Sequence, residues 1–548
     1  MKKIWNECKW LFSQKLYVIA LCITAVCGYG FSLISPSVGV DDTAVEAYFG
    51  DGLTVVMGRW TIFLLNKIFP MEKFSPFMME FIGVMLLCLG ATLFAVLLRR
   101  LLGKKPGVMA CTVFACVFVS NPIISEVWFF YLHNGVDLGY ILVALSLWLF
   151  IDGMEAVGRK KVLPFLGSML LTLLAIGCYE SFLILYIIGI LMSLFLKGLV
   201  GEEKITFISI FKNLMIGALL SVGTIILRSL IIELLTVAFN LLEVKGEMQL
   251  RSLSEIMETF GHSDGLANFF MLVKKYWVVY FVNAVVYLPV AGYVFSVVVL
   301  GVYAVVVTVK RKNIWFMVLI GGMIFAPFLL TIMEGQVAYY RSCQFMPFFT
   351  AVGILLFYLA AEKYGKLPVI SYAVTAFVAI FIYNQTAALN ENFYVDYLKY
   401  ENAREVLTTA AREIERKYGS ETPVIFTGNH EVPAELVERY CVPYSSEKYQ
   451  LIATITGVVD EHLIEKFYTP YGYSYAGEVE YSVIQWGVNA FDGTCGQLIR
   501  FLNMQGYSFT TIYDRDVQEQ ARQLGENMPR WPEEGSVTEH EGYILVHF

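Results

Sequence analysis

The sequence predicts an α-helical polytopic membrane protein, with about eleven membrane-spanning helices and a small α/β domain at its C-terminal end. Two observations carry this. First, the chain of 548 residues is 57% apolar and 16% charged, whereas soluble domains run at roughly 45–50% and about 25%. That excess of apolar residues needs a bilayer. Second, the charge is split along the chain. Residues 385–548 hold 25 Asp and Glu against 12 Lys and Arg, a net of −13, while residues 1–384 hold 22 against 28, a net of +6. A basic, apolar membrane body over 1–384 is thus followed by an acidic, water-soluble part over 385–548.

A helix crosses the hydrocarbon core in about 20 apolar residues. Candidate spans lie near residues 16–35, 77–98, 106–121, 136–152, 163–178, 182–197, 206–226, 286–309, 314–332, 344–361 and 367–384. The first run is long enough to span, and no small-residue cleavage site follows it, so it reads as a retained span and not a cleaved signal. The stretch from Phe269 to Lys310 has room for one span and an interfacial helix, or for two short spans.

Charges in the connections test this order. Lys2, Lys3, Lys9 and Lys15 precede the first span. Arg99, Arg100, Lys104 and Lys105 follow the second; Arg159, Lys160 and Lys161 the fourth; Lys197 and Lys204 the sixth; Lys310, Arg311 and Lys312 the eighth; Lys363 and Lys366 the tenth. The alternate short loops are nearly free of Lys and Arg. The positive-inside rule then places the N-terminus in the cytosol and, with an odd number of spans, the acidic part outside.

The outer loops collect the polar residues. The first carries Asp41 and Asp42 just past the end of the first span, then an amphipathic stretch (Ala44, Val45, Tyr48, Phe49, Leu53, Val56, Met57, Trp60) that includes Arg59. That stretch suits a helix lying along the membrane interface. The plain reading of the aspartates is a solvated loop, or Asp42 capping the following helix. The second outer loop offers Glu126, Trp128, Tyr131, His133, Asn134 and Asp137. Aromatic faces with carboxylates and amides suit a sugar, and the aromatics equally suit an interfacial belt. Only Tyr179, Glu180 and Ser181 separate the fifth and sixth spans, so Glu180 sits at the membrane boundary, where ionisable groups are costly and face a cavity or a partner. Arg228 and Arg341 are cations at the outer ends of the seventh span and of the loop before the tenth. Their plain reading is snorkelling to headgroups, weakened because the short loops on that side hold almost no other cations.

In the acidic part, residues 392–418 read as a helix with Leu398, Ala403, Val406, Leu407, Ala410 and Ile414 on one face. Pro423–Gly428 reads as a strand, followed by helices at 434–440 and Gly496–Gln505 and a final strand, Tyr543–Phe548. Alternating strands and helices suggest a small α/β domain. His430, Asp514 and Asp516 carry no catalytic spacing, and recognition or packing is the reading for this domain. Its acidity argues against an anionic polymer, and no nucleic-acid partner is expected. Most of the ten cysteines sit in apolar runs, and no CxxC occurs; Cys441 and Cys495 could pair in an oxidising compartment.

The Asp41–Asp42 pair, the Gly58–Arg59–Trp60 run about sixteen residues on, Tyr179–Glu180–Ser181 and Tyr339–Tyr340–Arg341 together resemble the bacterial membrane glucosyltransferases of the GtrII type, which include enzymes that glucosylate O-antigen. The segments from Asn384 to Val406 and from Asn527 to Val537 add to the resemblance, which runs over most of the chain. It implies a GT-C architecture, a polyprenyl-phosphate-linked glucose donor, and a surface glycan or glycolipid acceptor outside the cytosol, with an acidic residue of the first outer loop in catalysis.

The chemistry agrees with that implication. A base must take the acceptor hydroxyl's proton, cations must stabilise the departing phosphate, and polar and aromatic walls must hold the sugar. Asp41 and Asp42 fit the base, one of them orienting the other or binding a hydroxyl. Arg59 and Arg341 suit the phosphate, which a guanidinium grips bidentately, with Arg228 a third candidate. Glu126, His133, Tyr179 and Glu180 would line the donor or acceptor site. Paired aspartates are compatible with a divalent metal, but a monophosphate leaving group has less need of one, and neither metal nor cofactor is expected. A lipid-glycan flippase or transporter is the rival reading; it calls for broken spans or internal repeats, and the sequence shows no repeat.

Overall fold

The computed structural model describes residues 2–43, 52–69, 75–130, 133–201, 206–244, 265–285, 287–335, 337, 340–364, 368–430, 484, 488 and 493–548. Among these, ten helices are long and apolar enough to cross a membrane. They match ten of the eleven expected spans. The remaining one, expected at 163–178, is the 15-residue helix Val162–Ile176, shorter than the roughly 20 residues a straight crossing takes. It packs closely against His133–Glu155, with Ser146, Ser168 and Thr172 hydrogen-bonded among themselves at the contact. The long stretch from Phe269 resolves into a 16-residue helix, Gly265–Tyr280, and one span, Leu288–Arg311.

Local signals set the ends. Pro76 opens the second span at a position where a missing N–H costs nothing. The Asn121 side chain accepts from Ile123 N–H and starts the turn Pro122–Ile124. Thr206 caps Phe207–Ala238 by accepting from Ser209 N–H, and Gly335, in the left-handed region, ends Trp315–Glu334. The burial of each helix gives its place. The span at Val108–Trp128 is 89% buried and forms the centre of the bundle, whereas only 22% of Ile208–Ala238 is covered. The latter leaves Leu219, Val222, Ile226, Leu230 and Leu234 exposed. Such a stripe of large apolar side chains belongs against lipid, not water.

Charged groups from the expected cytosolic connections meet at one end of the bundle. Arg100 pairs with Asp152 at 2.7 Å and Glu155 at 2.6 Å, Lys197 reaches Glu155 at 2.5 Å, and Arg311 donates to the carbonyls of Gly198 and Gly201. Arg99 pairs with Glu7 beside Trp10. The expected outer-loop residues gather at the opposite end.

The last span does not stop at the membrane: Pro368–Tyr418 is one continuous helix of 51 residues, so the division at 384/385 falls inside it. Its C-terminal half buries Ala403, Leu407, Ala410 and Ile414 in a second core with Ile425, Phe426, Leu498, Phe501 and Leu545. The sheet in that core has three strands among the described residues. Val424–Thr427 pairs in parallel with Tyr543–His547, in register Val424 to Ile544, and Val537–His540 pairs with the same strand antiparallel. Helices Gly496–Met504 and Arg515–Gly525 cover it. Both expected strands and the Gly496 helix are present; the helix expected at 434–440 lies outside the described residues. Asp514 is an N-cap, accepting from the N–H groups of Asp516 and Val517. Cys495 is buried with its thiol 3.1 Å from Thr511 Oγ1, and burial raises its pKa; Cys441, its expected partner, lies outside the described residues.

Candidate functional site

The site is built on the segment after the first outer loop. Gly52 and Gly58 both take left-handed backbone conformations, with φ of +76° and +86°, and between them Leu53–Val56 makes a single helical turn. Arg59 N–H donates to Thr54 O at 2.6 Å. The helix Trp60–Asn66 then docks on the end of Val162–Ile176: Thr61 N–H donates to Gly177 O, and Thr61 Oγ1 to Leu174 O, each at 2.9 Å. A Cβ at Gly177 would lie 2.6 Å from the Trp60 ring, so the close approach of the two segments requires glycine there.

This docking aims Arg59 at Tyr179, its guanidinium 4.6 Å from the ring centroid. Arg341, from the turn Tyr340–Ser342, faces the same space with its guanidinium 5.8 Å from the Phe130 ring. Arg59, Arg341, Tyr179, Phe130, Val127 and Cys178 line one cavity of about 40 Å³, room for a few water molecules. Arg228 stands directly behind: a Cβ on Gly58 would fall 1.8 Å from its Nη2. Glu180 is buried within electrostatic range of Arg228, and Glu334 within range of Glu180 and Arg341. Three guanidiniums therefore face two carboxylates, an excess of positive charge. Among the described residues, both Glu180 carboxylate oxygens, Tyr179 Oη, Arg59 Nε and Arg228 Nε are buried without a hydrogen-bond partner. Buried polar atoms are almost always paired, so this concentration would be satisfied by water or by a polar ligand.

A second cluster lies beside it. His133 is sandwiched among buried groups: its Nδ1 is 2.9 Å from Asp137 Oδ2, its Nε2 is 3.6 Å from Glu80 Oε1, and its ring stacks on Trp128 at 4.2 Å. Trp128 Nε1 donates to the other Asp137 oxygen at 3.3 Å. Glu126 accepts from Tyr287 Oη at 2.9 Å, and Tyr287 in turn stacks near Tyr340. Among the described residues neither His133 nor Glu126 lines the arginine cavity; their bonds tie down the Pro122–Phe130 segment whose end, Phe130, does. His133→Leu is expected to lower unfolding free energy in detergent by about 3 kcal/mol, because Asp137 would stay buried without its partner. Unchanged melting of that variant would remove the structural role given to the pair.

Asp42 is buried, and its Oδ2 accepts from Gly39 N–H at 2.7 Å. It thus reaches back from the third position of the turn Val40–Thr43 to the residue preceding it, the reverse arm of a capping box, and not as the N-cap itself. Asp41 belongs to the same turn, but its side chain lies outside the described residues, as does the first half of the amphipathic stretch, 44–51. Asp42 is not among the described residues lining the arginine cavity. The connection is by way of the backbone: a Cβ on Gly39 would sit 3.6 Å from Phe129 O, one residue before Phe130.

The structure therefore brings Arg59, Arg341 and Tyr179 together, with Arg228 and Glu180 adjoining, and sets Asp42, Glu126 and His133 around the neighbouring segment. Sequence reasoning missed Glu80 and Glu334. Glu334 had a signal, since it ends an apolar span seven residues before Arg341; Glu80 had only its place at the opening of the second span.

A family model described as Glucosyl transferase GtrII matches residues 30–358. The chain belongs to the GtrII glucosyltransferase family. Every residue of the arginine site, from Arg59 to Arg341, falls inside the GtrII match, as do Asp41 and Asp42. Glucosyl transfer is the function the family carries, and the ten apolar helices place the chain in a membrane. The match stops before the long helix, so the resemblance seen from Asn384 to Val406 and from Asn527 to Val537 lies beyond the GtrII segment. No curated protein and no solved structure matches the chain.

Proposed function

We propose that this chain moves a hexose, glucose by family, from a polyprenyl-phosphate donor to a surface glycan on the extracytoplasmic side. The observation that supports it most is the pairing of Arg59 and Arg341 on one cavity at the end of the bundle opposite the basic connections. A phosphate there would take hydrogen bonds from both guanidiniums. The cavity is too small for a hexose, so the sugar would lie outside it, toward the Pro122–Phe130 segment and its aromatics.

In this reading the acceptor hydroxyl attacks C1 of the sugar. An aspartate of the Asp41–Asp42 turn takes the hydroxyl proton. The C1–O bond to phosphate breaks, and its electron pair leaves with the polyprenyl phosphate, whose charge the arginines stabilise. One displacement with one base inverts the anomeric centre. Tyr179, Glu180, Glu126 and His133 hold the sugar and acceptor or the segments that meet them. The reaction as written needs no metal or cofactor. The membrane body of the proposal is 1–384, with 385–548 outside the cell membrane and the N-terminus in the cytosol.

The test is transfer of labelled sugar from polyprenyl phosphate in membranes holding Asp41→Asn or Asp42→Asn. Asn at 42 can still accept from Gly39 N–H, so the turn survives while the base is lost. At least one variant is expected to lose about a hundredfold or more in rate. If both transfer at the parental rate, the base is elsewhere, and Glu180 or Glu334 is next in line. Movement of labelled lipid with no new glycosidic bond would overturn the transferase reading.

A further inference from the structure

We propose that the C-terminal domain carries a groove that binds a neutral oligosaccharide segment of the acceptor. This rests on the transfer reading above. Between the outer half of the long helix and the end of Gly496–Met504 lies a groove of about 560 Å³, in the range of sites that hold small ligands. Asn402, Glu405, Thr409, Arg412, Gln505 and Tyr507 are among its lining residues. They offer amides, a hydroxyl and an aromatic face, the groups that fix sugar hydroxyls and cover an apolar ring face.

Charge narrows the ligand class. Two lining acids, Glu401 and Glu405, are matched by two lining cations, Arg404 and Arg412, and Arg404 already pairs with Glu401 at 2.5 Å. A groove without net charge selects against strongly anionic polymers and suits uncharged sugar units. Among the described residues Asn402 Oδ1 is buried there without a hydrogen-bond partner, an acceptor suited to a sugar hydroxyl. Tyr507 is held in place, its hydroxyl donating to Thr408 O at 3.1 Å and its ring stacked on Phe509.

The groove is also connected to the proposed base. Gly496–Met504, whose following residues Gln505 and Tyr507 line the groove, packs against the Asp41–Asp42 turn, and Arg500 Nη1 donates to Thr43 O at 3.3 Å. Val38, at the start of that turn, is buried in the core of the C-terminal domain. A glycan seated in the groove would thus lie on the same element that supports the turn. The groove falls wholly outside the family match at 30–358, as expected if the shared part handles the donor and the remainder selects the acceptor.

The experiment uses the full chain in lipid nanodiscs, with oligosaccharides released by mild acid from the surface polysaccharide of a strain lacking this gene. Saturation-transfer NMR without donor reads binding. Steady-state transfer reads acceptor and donor KM separately. Asn402→Ala and Tyr507→Ala are each expected to raise acceptor KM about tenfold, the worth of one good hydrogen bond or stacking contact, with kcat and donor KM little changed and the saturation signal lost. An oligosaccharide that gives no saturation signal with the parent, or the same signal and the same acceptor KM with both variants, overturns the groove. If the parent binds the oligosaccharide and the variants do not, yet no sugar is transferred, the groove stands and the transferase reading fails.

Discussion

Arg59→Ala and Arg341→Ala are each expected to cut sugar transfer at least about a hundredfold, the scale of losing one preorganised donor to a developing charge. Two features set this scale. Both guanidiniums line a cavity of about 40 Å³ with Phe130, Val127 and Tyr179, which has room for only a few waters to replace them. Both are also held in place, Arg59 by the Thr54 carbonyl on its own N–H and by the Tyr179 ring, Arg341 by its turn and Phe130. The loss should fall mainly on kcat, since the leaving phosphate gains its second negative charge only as the bond breaks. Lysine should rescue poorly at either position, because a point charge does not reproduce a planar two-point grip. Initial rates with a polyprenyl-phosphate sugar decide this. An Arg59→Ala enzyme with parental kcat and a raised KM would move that residue from leaving-group stabilisation to simple binding.

The second large effect is expected at Gly58. An alanine there must adopt φ near +86°, which costs about 1–2 kcal/mol for an L residue. Its methyl would also fall 1.8 Å from Arg228 Nη2, so the guanidinium must leave. Arg228 sits within range of Glu180, whose carboxylate has no hydrogen bond among the described residues, and moving the cation strips that buried acid of a counter-charge. Together these predict a loss of about 3 kcal/mol or more in unfolding free energy and a collapse of transfer rate. Truncation at the other side, Arg228→Ala with Gly58 intact, makes no clash and strips the same buried acid of its counter-charge. If Gly58→Ala melts and works like the parent, the close contact between loop and span is not needed for either.

Much of this arrangement was legible in the sequence because each signal was local. Runs of about 20 apolar residues and the alternation of Lys and Arg between them gave ten spans and gathered one end of the bundle. Arg59, Arg341 and Arg228 stood out as arginines near the outer ends of spans, and the structure places all three together. What stayed hidden depended on long-range contacts. Val162–Ile176 reads as a span by composition, yet it is only 15 residues long, its end fixed by docking of Trp60 and Thr61 from more than a hundred residues away. The carboxylate of Asp42 is spent in part on its own turn, which no spacing could reveal. Glu80 meets His133 only because Gly83 lets the two helices close, a Cβ there falling 2.6 Å from the imidazole. The division at 384/385 was drawn where apolar character ends, but the helix there continues without a break because nothing in it disrupts the backbone.

From Val369 to Tyr418 that helix contains neither glycine nor proline, the residues that give a helix a hinge. At about 1.5 Å per residue, with roughly 30 Å inside hydrocarbon, it stands about 45 Å clear of the lipid. It behaves as a mast stepped in the bilayer, and the sheet is rigged to its upper part. Because Val38 sits in the same core as that sheet and Arg500 bonds Thr43 O, the upper part is moored to the bundle as well, and the length of the mast sets how high above the surface an incoming polymer would be met.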